Sequence, residues 1–384
     1  MKYCKIAVVV VALNLMHETP AAQPDLAQAI QQIRNVGPDS KGSDQAAAAW
    51  RVLSKADATQ LPEILAGMDG ANALARNWLR AAIDEILDRA RKEQKTAPQD
   101  ALESFLRDTH HDPQARRLAY ELIAEHDRTA SERFLPTMLD DPSPDLRRDA
   151  VARLIDQAEK VYQSATKKES LATYKKCLAA ARDKKQIDKI AGRLRELGEP
   201  VDLATHFGFI MEWKLLGPFP NVKQKGMGTV YPPEQKMDLT AAYDGKSGKV
   251  SWKDYVTQSD TGIVDLYAGL GKHPEGTEYA LAEFTSPDAR AVEIRLGCFT
   301  AFKLWLNGEM VLERGDAYTG MSVDHYGVQV HLRPGKNVFL LKLCRDDFPQ
   351  APGIWQFQLR VCDETGAAIL SASRPPRVTS PKKS

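Results

Sequence analysis

The chain of 384 residues is long enough for two or three domains, and its 43% hydrophobic and 27% charged residues are usual for a globular protein. Its formal net charge of +1 argues against nucleic acid as a partner, because phosphate binding needs a clear excess of basic residues. No segment after the N-terminus is apolar enough to predict a membrane-spanning helix.

The N-terminal segment has the pattern of a signal peptide. Two lysines precede an apolar run over residues 6–16, and small residues follow at positions 21 and 22. The run is too short to cross a bilayer but has the length of a secretory h-region. We expect residues 1–22 to be removed and the protein to be exported, to the periplasm or beyond the cell, with no integral membrane segment left. A buried strand or an uncleaved anchor is the alternative.

Cysteine spacing excludes two classes of chemistry. No CxxC or CxxCH occurs, so neither thioredoxin-like redox chemistry nor c-type haem attachment is indicated. If residues 336–344 and 354–362 form a hairpin, Cys344 lies near its turn and Cys362 near its far end. That separation argues against a disulfide between them. Four cysteines would remain after signal cleavage: Cys177, Cys298, Cys344 and Cys362.

Residues 23–207 are predicted to be helical, because alanine, leucine, arginine and glutamate dominate and β-branched runs are scarce. Three stretches each combine a short apolar helix, a polar turn and a second helix that opens near an arginine. Their spacing falls in or near the range of helical-hairpin repeats. The stretches are 61–87, 101–125 and 134–156, with Arg76, Arg116 and Arg147 in matching positions.

The third stretch is the clearest. Its "DPSPDLRRDAVARL" (141–154) ends one helix at Pro142 and places Pro144 in the first turn of the next. This sequence resembles HEAT repeats over roughly residues 50–160. The resemblance implies a scaffold or a partner-binding surface.

Two further helices are predicted around residues 157–182 and 184–197, with many lysines that indicate a solvated face rather than an anionic partner. The His110-His111-Asp112 sequence could suggest a metal site. Adjacent helical residues point in different directions and no third ligand is evident, so we interpret Asp112 as a helix N-cap followed by proline.

From Glu212 onward the composition changes, and apolar and polar residues alternate in runs of strand length. Such period-2 runs are typical of antiparallel strands with one buried face. We therefore predict a multidomain α + β protein: an N-terminal α-helical repeat array (HEAT-like) and a C-terminal antiparallel β-sandwich of jelly-roll type over residues 208–372. The predicted strands are Ile263–Leu270, Glu278–Phe284, Ala291–Leu296, Phe302–Leu306, Met310–Leu312, Val328–Leu332, Val338–Leu343 and Trp355–Val361.

Two stretches of this half resemble a known fold family. "LWLNGEMVL" (304–312) and "VQVHLRPGKNVFLLKL" (328–343) are similar in order and spacing to the central strands of galactose-binding-like jelly rolls, including accessory sugar-binding domains of glycoside hydrolases. The similarity covers residues 290–362 well and 210–290 loosely. Asn307 and Gly308 are predicted to form a tight turn, since both tolerate positive φ. The Pro-, Ser- and Lys-rich tail, residues 373–384, is predicted to be disordered.

In this fold class ligands usually contact loops at one end or side of the sandwich. Aromatic rings stack on sugar faces, while carboxylates and arginine bind hydroxyl groups. The alternative is that these rings cover the ends of the core. Asp316 or Asp324 could instead help to hold a structural calcium ion. The candidate ligand-binding residues are Trp252 and Tyr255 in one loop, and Arg314, Asp316, Tyr318, Asp324, His325 and Tyr326 in another.

Catalysis has less support, because the chain carries no GxSxG, HExxH, P-loop or complete dinucleotide fingerprint. We expect an exported, non-enzymatic protein with no cofactor, whose sandwich binds a glycan or a protein and whose helical array mediates protein interaction. A purely structural module and a carbohydrate-active enzyme of unrecognised type are the alternatives. A structural module predicts buried aromatic rings, and an enzyme predicts convergent carboxylates in a deep pocket.

Overall fold

The computed structural model describes residues 26–164, 166–315, 320–346 and 354–375. The predicted signal peptide lies outside this part of the chain, as do residues 376–384 of the predicted tail. The chain divides between Arg128 and Thr129 into two compact units. Helices dominate the N-terminal part and antiparallel sheets the C-terminal part, which confirms the predicted α + β class.

The first unit is built from amphipathic helices. In the helix over residues 73–92, Leu79, Ile83 and Ile86 recur at helical spacing and are fully buried. In the described part of the chain, no helix is both long and apolar enough to cross a membrane. The helices of this unit are α1 (Leu26–Arg34), α2 (Ser43–Leu53), α3 (Leu61–Ala66), α4 (Ala73–Lys92), α5 (Gln99–Arg107) and α6 (Pro113–His126).

Asp112 caps the N-terminus of α6, as predicted. Its carboxylate accepts hydrogen bonds from the backbone N–H groups of Gln114 and Ala115, at 2.9 and 3.2 Å. The neighbouring His111 ring contacts the carboxylate of Asp69 through Nδ1, at 2.8 Å. The described residues contain no group of three or more side chains that could hold a metal ion.

Each of the three matching arginines is the fourth residue of a helix: Arg76 in α4, Arg116 in α6, and Arg147 in the helix that begins at Pro144. Arg116 is 1% exposed, and its guanidinium donates to the carbonyl of Leu106 at 2.8–3.0 Å. A buried arginine thus ties this helix to the end of the one before it. The helix pairs are present, while the resemblance to HEAT repeats stays a prediction.

The second unit begins with helices that pack against the start of the β region. Tyr174, Cys177 and Ile190 share one buried apolar cluster with Phe209 and Met211. Its helices before the first strand are α7 (Ala130–Arg133), α8 (Pro144–Ser164), α9 (Lys167–Ala180), α10 (Lys184–Glu196) and α11 (Leu203–Phe207).

One predicted helix is two in the structure. The sequence predicts a single helix around residues 157–182, whereas α8 continues to Ser164 and α9 begins at Lys167. Thr166 and Glu169 form a capping box: each side chain accepts a hydrogen bond from the other residue's backbone N–H. The capping box therefore starts a new helix at this point, although the composition of residues 157–182 favours helix throughout.

The β region forms two main antiparallel sheets and a hairpin. The strands are β1 (Glu212–Pro220), β2 (Ala242–Gly245), β3 (Gly248–Ser251), β4 (Lys253–Val256), β5 (Val264–Asp265), β6 (Gly276–Ser286), β7 (Arg290–Cys298), β8 (Ala301–Leu306), β9 (Glu309–Arg314), β10 (Tyr326–Leu332), β11 (Gly335–Arg345) and β12 (Gln356–Cys362). Two short helices, α12 (Pro232–Gln235) and α13 (Leu266–Leu270), interrupt the strands. The strand orders in the two sheets are β4-β1-β6-β11-β8-β9 and β10-β7-β12-β5, and β2 pairs with β3.

The main core contains apolar side chains from both sheets. Leu304 and Phe339 of the six-stranded sheet and Ile294 and Phe357 of the four-stranded sheet are all fully buried in one cluster. Alternation along each strand sends every second residue into this core, which is the pattern the sequence predicts. The other face of the six-stranded sheet, called the outer face below, has a separate apolar cluster.

One strand prediction is wrong. Ile263–Leu270 was predicted as a strand, but the extended part ends at Asp265, whose carboxylate accepts from the backbone N–H groups of Tyr267 and Ala268 and starts α13. The hairpin considered for residues 336–344 and 354–362 does not form, because β11 pairs with β6 and β8 while β12 pairs with β7 and β5.

The predicted Asn307-Gly308 turn is confirmed. Both residues have positive φ, 54° and 88°, and they join β8 to β9. Asn307 also binds the next strand: its Oδ1 accepts from the N–H of Val338, and its own N–H donates to the carbonyl of Val338, both at 2.9 Å. The turn is therefore fixed to β11 as well as to its own hairpin.

The four cysteines of the described chain are buried free thiols. Burial raises the pKa of each thiol to about 11. The thiols therefore stay protonated and weakly reactive at neutral pH.

Candidate binding face of the six-stranded sheet

The outer face of the six-stranded sheet carries a concentration of aromatic side chains. Five residues on β1, β6 and β11 form its buried floor, and six partly exposed residues pack on them. Together they are called the outer-face cluster. The floor consists of Leu216, Phe219, Tyr279, Leu281 and Leu340; the partly exposed residues are Tyr231, Tyr243, Val250, Trp252, Trp305 and Val338.

The cluster contains two tryptophans, Trp252 and Trp305, and both are partly exposed. Trp305 lies directly opposite Leu340, and Leu340 opposite Leu281, so the three side chains form a row across three neighbouring strands. Trp252 lies between β3 and β4, and its Nε1 is buried with no hydrogen-bond partner. The accessible part of the Trp252 ring is therefore carbon.

Charged pairs surround the aromatic residues on the same face. Lys303 and Glu313 are opposite each other on β8 and β9, with Nζ and Oε1 3.2 Å apart. Lys214 contacts Asp254 across β1 and β4. Met310, opposite Trp305, is 49% exposed. The outer face thus combines apolar rings with ionic groups that can hydrogen-bond a polar ligand.

A buried lysine lies beside the floor of the outer-face cluster. Lys342 of β11 is 0% exposed, and its Nζ donates to the carbonyl of Thr229 at 2.6 Å and to Oε1 of Glu234 at 2.8 Å. The same Glu234 oxygen accepts from the hydroxyl of Tyr279. Tyr231 adds a ring whose centroid is 5.3 Å from Nζ. These hydrogen bonds fix the segment that carries Glu234 against the sheet.

The two residues predicted as ligand contacts in the loop before and within β4 lie on different faces. Trp252 belongs to the outer-face cluster, whereas Tyr255 packs against the main core. The structure therefore does not bring these two rings together. Trp305 was not among the predicted ligand contacts, although its alternation with Phe302, Leu304 and Leu306 already indicated that it lies on the face opposite the core.

The second predicted group lies partly outside the described residues, since Asp316 and Tyr318 are not described. Three of the others, Arg314, His325 and Tyr326, are brought together. The rings of His325 and Tyr326 stack with centroids 4.4 Å apart, and the guanidinium carbon of Arg314 is 5.8 Å from the Tyr326 centroid. Tyr326 also packs against the main core.

Asp324 is held by two arginines. Its Oδ1 and Oδ2 accept from Nε and Nη2 of Arg360, both at 2.6 Å, and Oδ2 also accepts from Nη1 of Arg295 at 3.0 Å. Burial raises the pKa of this carboxyl, but the hydrogen bonds and charges of the two arginines outweigh burial and hold the pKa below its usual value. Asp324 is thus a charged member of a structural network, and its predicted calcium role stays untested.

A cleft of about 270 Å³ lies near one edge of the outer face. Its walls come from residues 208–212, 256–258 and 369–375. The two phenylalanines in its lining, Phe209 and Phe284, are 1% and 2% exposed. The cleft therefore offers no aromatic face to a ligand.

The chain matches no family model and no curated protein. A β-glucosidase from Kluyveromyces marxianus is 9% identical to this chain; the match covers 73% of this chain and 35% of the enzyme, with a TM-score of 0.25. A β-glucuronidase from Faecalibacterium prausnitzii is 15% identical; the match covers 36% of this chain and 21% of the enzyme, with a TM-score of 0.21. A family 35 carbohydrate binding module from Clostridium thermocellum is 13% identical; the match covers 26% of this chain and 87% of the module, with a TM-score of 0.17. The chain spans well under two thirds of either enzyme. All three TM-scores lie far below 0.5, so these likenesses carry no argument about activity.

Proposed function

We propose that this protein is a non-catalytic binding protein and that the outer face of its six-stranded sheet binds a glycan. The observation that carries the proposal is the pair of partly exposed tryptophans, Trp252 and Trp305, on one aromatic cluster. An indole offers a large, rigid apolar surface at a low cost in side-chain entropy, which suits the C–H face of a sugar ring.

The surroundings of the tryptophans support a polar ligand. Strands β1, β4, β8 and β9 place lysine–carboxylate pairs on the same face, and these groups can exchange partners with sugar hydroxyls. The buried floor of the outer-face cluster extends across three neighbouring strands, so the tryptophan rings that pack on the cluster are positioned before a ligand binds. Such preorganisation lowers the entropic cost of binding.

Two acids on the six-stranded sheet and its covering segment, Glu234 and Glu278, do not form a catalytic pair. Glycoside hydrolysis needs two carboxyl groups that face one another across a sugar bond. Glu234 is engaged by Lys342 and Tyr279 on the outer face, whereas Glu278 is fully buried on the core face of the same sheet. These two acids cannot act on one substrate.

A protein partner is the second candidate. The segment between β1 and β2 exposes large apolar side chains, which is uncommon unless a partner covers them. Val222 is 50% exposed and Val230 58% exposed, while Met237 and Leu239 are each 37% exposed. In this case the sheet would support a binding loop, and the helices would act as the expected scaffold for protein interaction.

A glycan array probed with the full-length chain tests the proposal. The full chain is needed because a fragment that starts at residue 208 would cut the apolar cluster shared by Phe207, Phe209 and Met211. The variants are Trp305→Ala and Trp252→Ala. Trp50→Ala is the matched control, since Trp50 is also a partly buried tryptophan with an unpartnered Nε1, in the first unit.

We expect selective binding that is lost in Trp305→Ala, reduced in Trp252→Ala and kept in Trp50→Ala. Binding that survives both outer-face substitutions would place the glycan elsewhere. No selective binding by the folded wild-type chain would overturn the glycan proposal, and the exposed segment that contains Val222 and Val230 would then be tested against protein partners.

A further inference from the structure

A second candidate site lies in the second unit, on the other side of the sandwich from the outer-face cluster's sheet. A cavity of about 170 Å³ is bounded by the N-terminal turns of α8 and α10 and by residues of the sandwich. Its lining has more basic than acidic side chains: two aspartates, Asp145 and Asp183, and four arginines, Arg147, Arg148, Arg182 and Arg295.

Arg147 is buried without a carboxylate partner. It is 4% exposed, and its Nη1 and Nη2 donate to the backbone carbonyls of Thr365 and Asp140, at 3.0 and 3.1 Å. Its Nε is buried with no hydrogen-bond partner, and it forms no ion pair with any described carboxylate. Burial lowers the pKa of this guanidinium, so its charge is held at a cost.

Arg182 repeats this arrangement from the other wall. Its Nη1 donates to the carbonyls of Ala179 and Ala181, at 2.7 and 2.9 Å, and its Nε is also buried and unpartnered. No described carboxylate pairs with it. Burial lowers the pKa of Arg182, and the charge of Arg147 lowers it further.

The acidic residues nearby are already engaged. Asp183 caps α10 by accepting from the N–H of Gln186, and Asp145 pairs with Arg148 at 3.2 Å. The carboxylate of Asp363 accepts from the N–H groups of Thr365 and Ala367. Two guanidinium groups therefore face the cavity with their charge uncompensated by an ion pair.

Arg295 is not available to a ligand, because it already pairs with Glu293 and Asp324. The geometry points to an oxyanion site: we propose that Arg147 and Arg182 bind a tetrahedral oxyanion, sulfate or phosphate, free or as an ester on a larger ligand. Planar guanidinium groups bind such oxygens with paired, charge-assisted hydrogen bonds. An anion would offset the repulsion between Arg147 and Arg182. The inference is independent of the proposed glycan face.

Isothermal titration of the full-length chain with sodium sulfate and with sodium phosphate tests the site, with sodium chloride at matched ionic strength as the reference. Thermal unfolding at the same salt concentrations gives a second readout, because a ligand that binds the folded state raises Tm in a saturable way. Sulfate and phosphate also stabilise proteins nonspecifically, so variants are required.

Arg182→Met removes one of the two unpaired charges and breaks no ion pair. Arg182→Gln serves the same purpose should the methionine variant not fold. Arg195→Met is the matched control, since Arg195 lies on α10, is not part of the cavity lining and pairs with Asp260 at 3.3 Å.

We expect saturable binding of sulfate or phosphate that weakens at least about tenfold in Arg182→Met, the effect of losing one charge-assisted hydrogen bond, and is unchanged in Arg195→Met. Tighter binding of sulfate than of phosphate would indicate a sulfate ester as the group recognised on a larger ligand, and the reverse would indicate a phosphate ester. Stabilisation of equal size in wild type and Arg182→Met, or one matched by chloride, would overturn the proposal.

Discussion

Two buried ionisable groups lie on opposite faces of the same sheet, and their surroundings differ. Lys342 of β11 points to the outer face and has a carboxylate, a backbone carbonyl and two aromatic rings as partners. Glu278 of the adjacent strand β6 points to the main core, and neither of its carboxyl oxygens has a hydrogen-bond partner. Both side chains are 0% exposed.

The difference comes from what covers each face. On the outer face the segment between β1 and β2 supplies polar groups, including Thr229 and Glu234, so a charge can be buried there with hydrogen-bond partners. On the core face Glu278 meets apolar packing, and the nearest compensating charge is that of Arg345. The outer face is thus the one organised for polar as well as apolar contacts.

Removing the cation on the outer face has the largest expected effect. Lys342→Met leaves the carboxylate of Glu234 in a largely buried site without its counterion. Breaking such a buried pair by removing one partner costs about 3–5 kcal/mol. Urea unfolding of the full chain measures the loss.

The double variant Lys342→Met, Glu234→Met is the control for that experiment. With both charges gone, no carboxylate remains unpaired, so we expect most of the lost free energy of unfolding to return. A double variant no more stable than Lys342→Met alone would mean that the pair does not account for the loss.

Substitutions at two adjacent residues of β8, Leu304 and Trp305, compare the stability that each face of the sheet contributes. Leu304 is 0% exposed in the main core, and Leu304→Ala is expected to lower the free energy of unfolding by about 2–5 kcal/mol. Trp305 is partly exposed on the outer face, and Trp305→Ala is expected to cost about 1 kcal/mol. Equal losses in the two variants would show that Trp305 is a core residue and would weaken its proposed role in binding.

Replacing the unpartnered acid on the core face should increase stability. Glu278→Met removes a buried carboxyl group that makes no hydrogen bond, and the free energy of unfolding is expected to rise by about 1–3 kcal/mol. Thermal or urea unfolding near neutral pH gives the sign. A less stable variant would show that the carboxyl group has a partner that stabilises it.

The same acid predicts a pH dependence. Burial raises the pKa of Glu278 well above its usual value of 4.5, against the opposing charge of Arg345. The folded chain therefore keeps a proton that the unfolded chain releases, so the Glu278 contribution to stability falls as pH rises from 4.5 through the folded-state pKa. Unfolding of wild type and Glu278→Met across this range should show the stability difference between them growing with pH; a constant difference would contradict the shifted pKa.

Much of this architecture could be predicted because it depends on local patterns. Period-2 alternation predicted β7 and β8, and the Asn307-Gly308 turn followed from the tolerance of both residues for positive φ. The mistakes came where a polar side chain acts on nearby backbone. Asp265 starts a helix where alternation suggested a strand, and Thr166 starts a new helix inside a helical composition.

The candidate site was predictable in part. Trp252 was predicted to contact a ligand, and the structure places it in the outer-face cluster. Trp305 was used only as evidence for a strand and was not proposed as a ligand contact. Its place in a row with Leu340 and Leu281 depends on which strands are neighbours in the sheet. Sequence alone does not give that order, nor the pairing of Lys342 with Glu234 from a segment more than one hundred residues earlier in the chain.

Hydroxyl-radical footprinting of the full-length chain, with and without a saturating glycan selected on the array, shows whether the outer face of the six-stranded sheet is the binding surface. If it is, Trp305 and Met310, both accessible side chains on this face, are protected from oxidation while Trp50 is not. Unchanged oxidation of Trp305 and Met310 at saturation, with protection elsewhere in the chain, would contradict this role of the outer face.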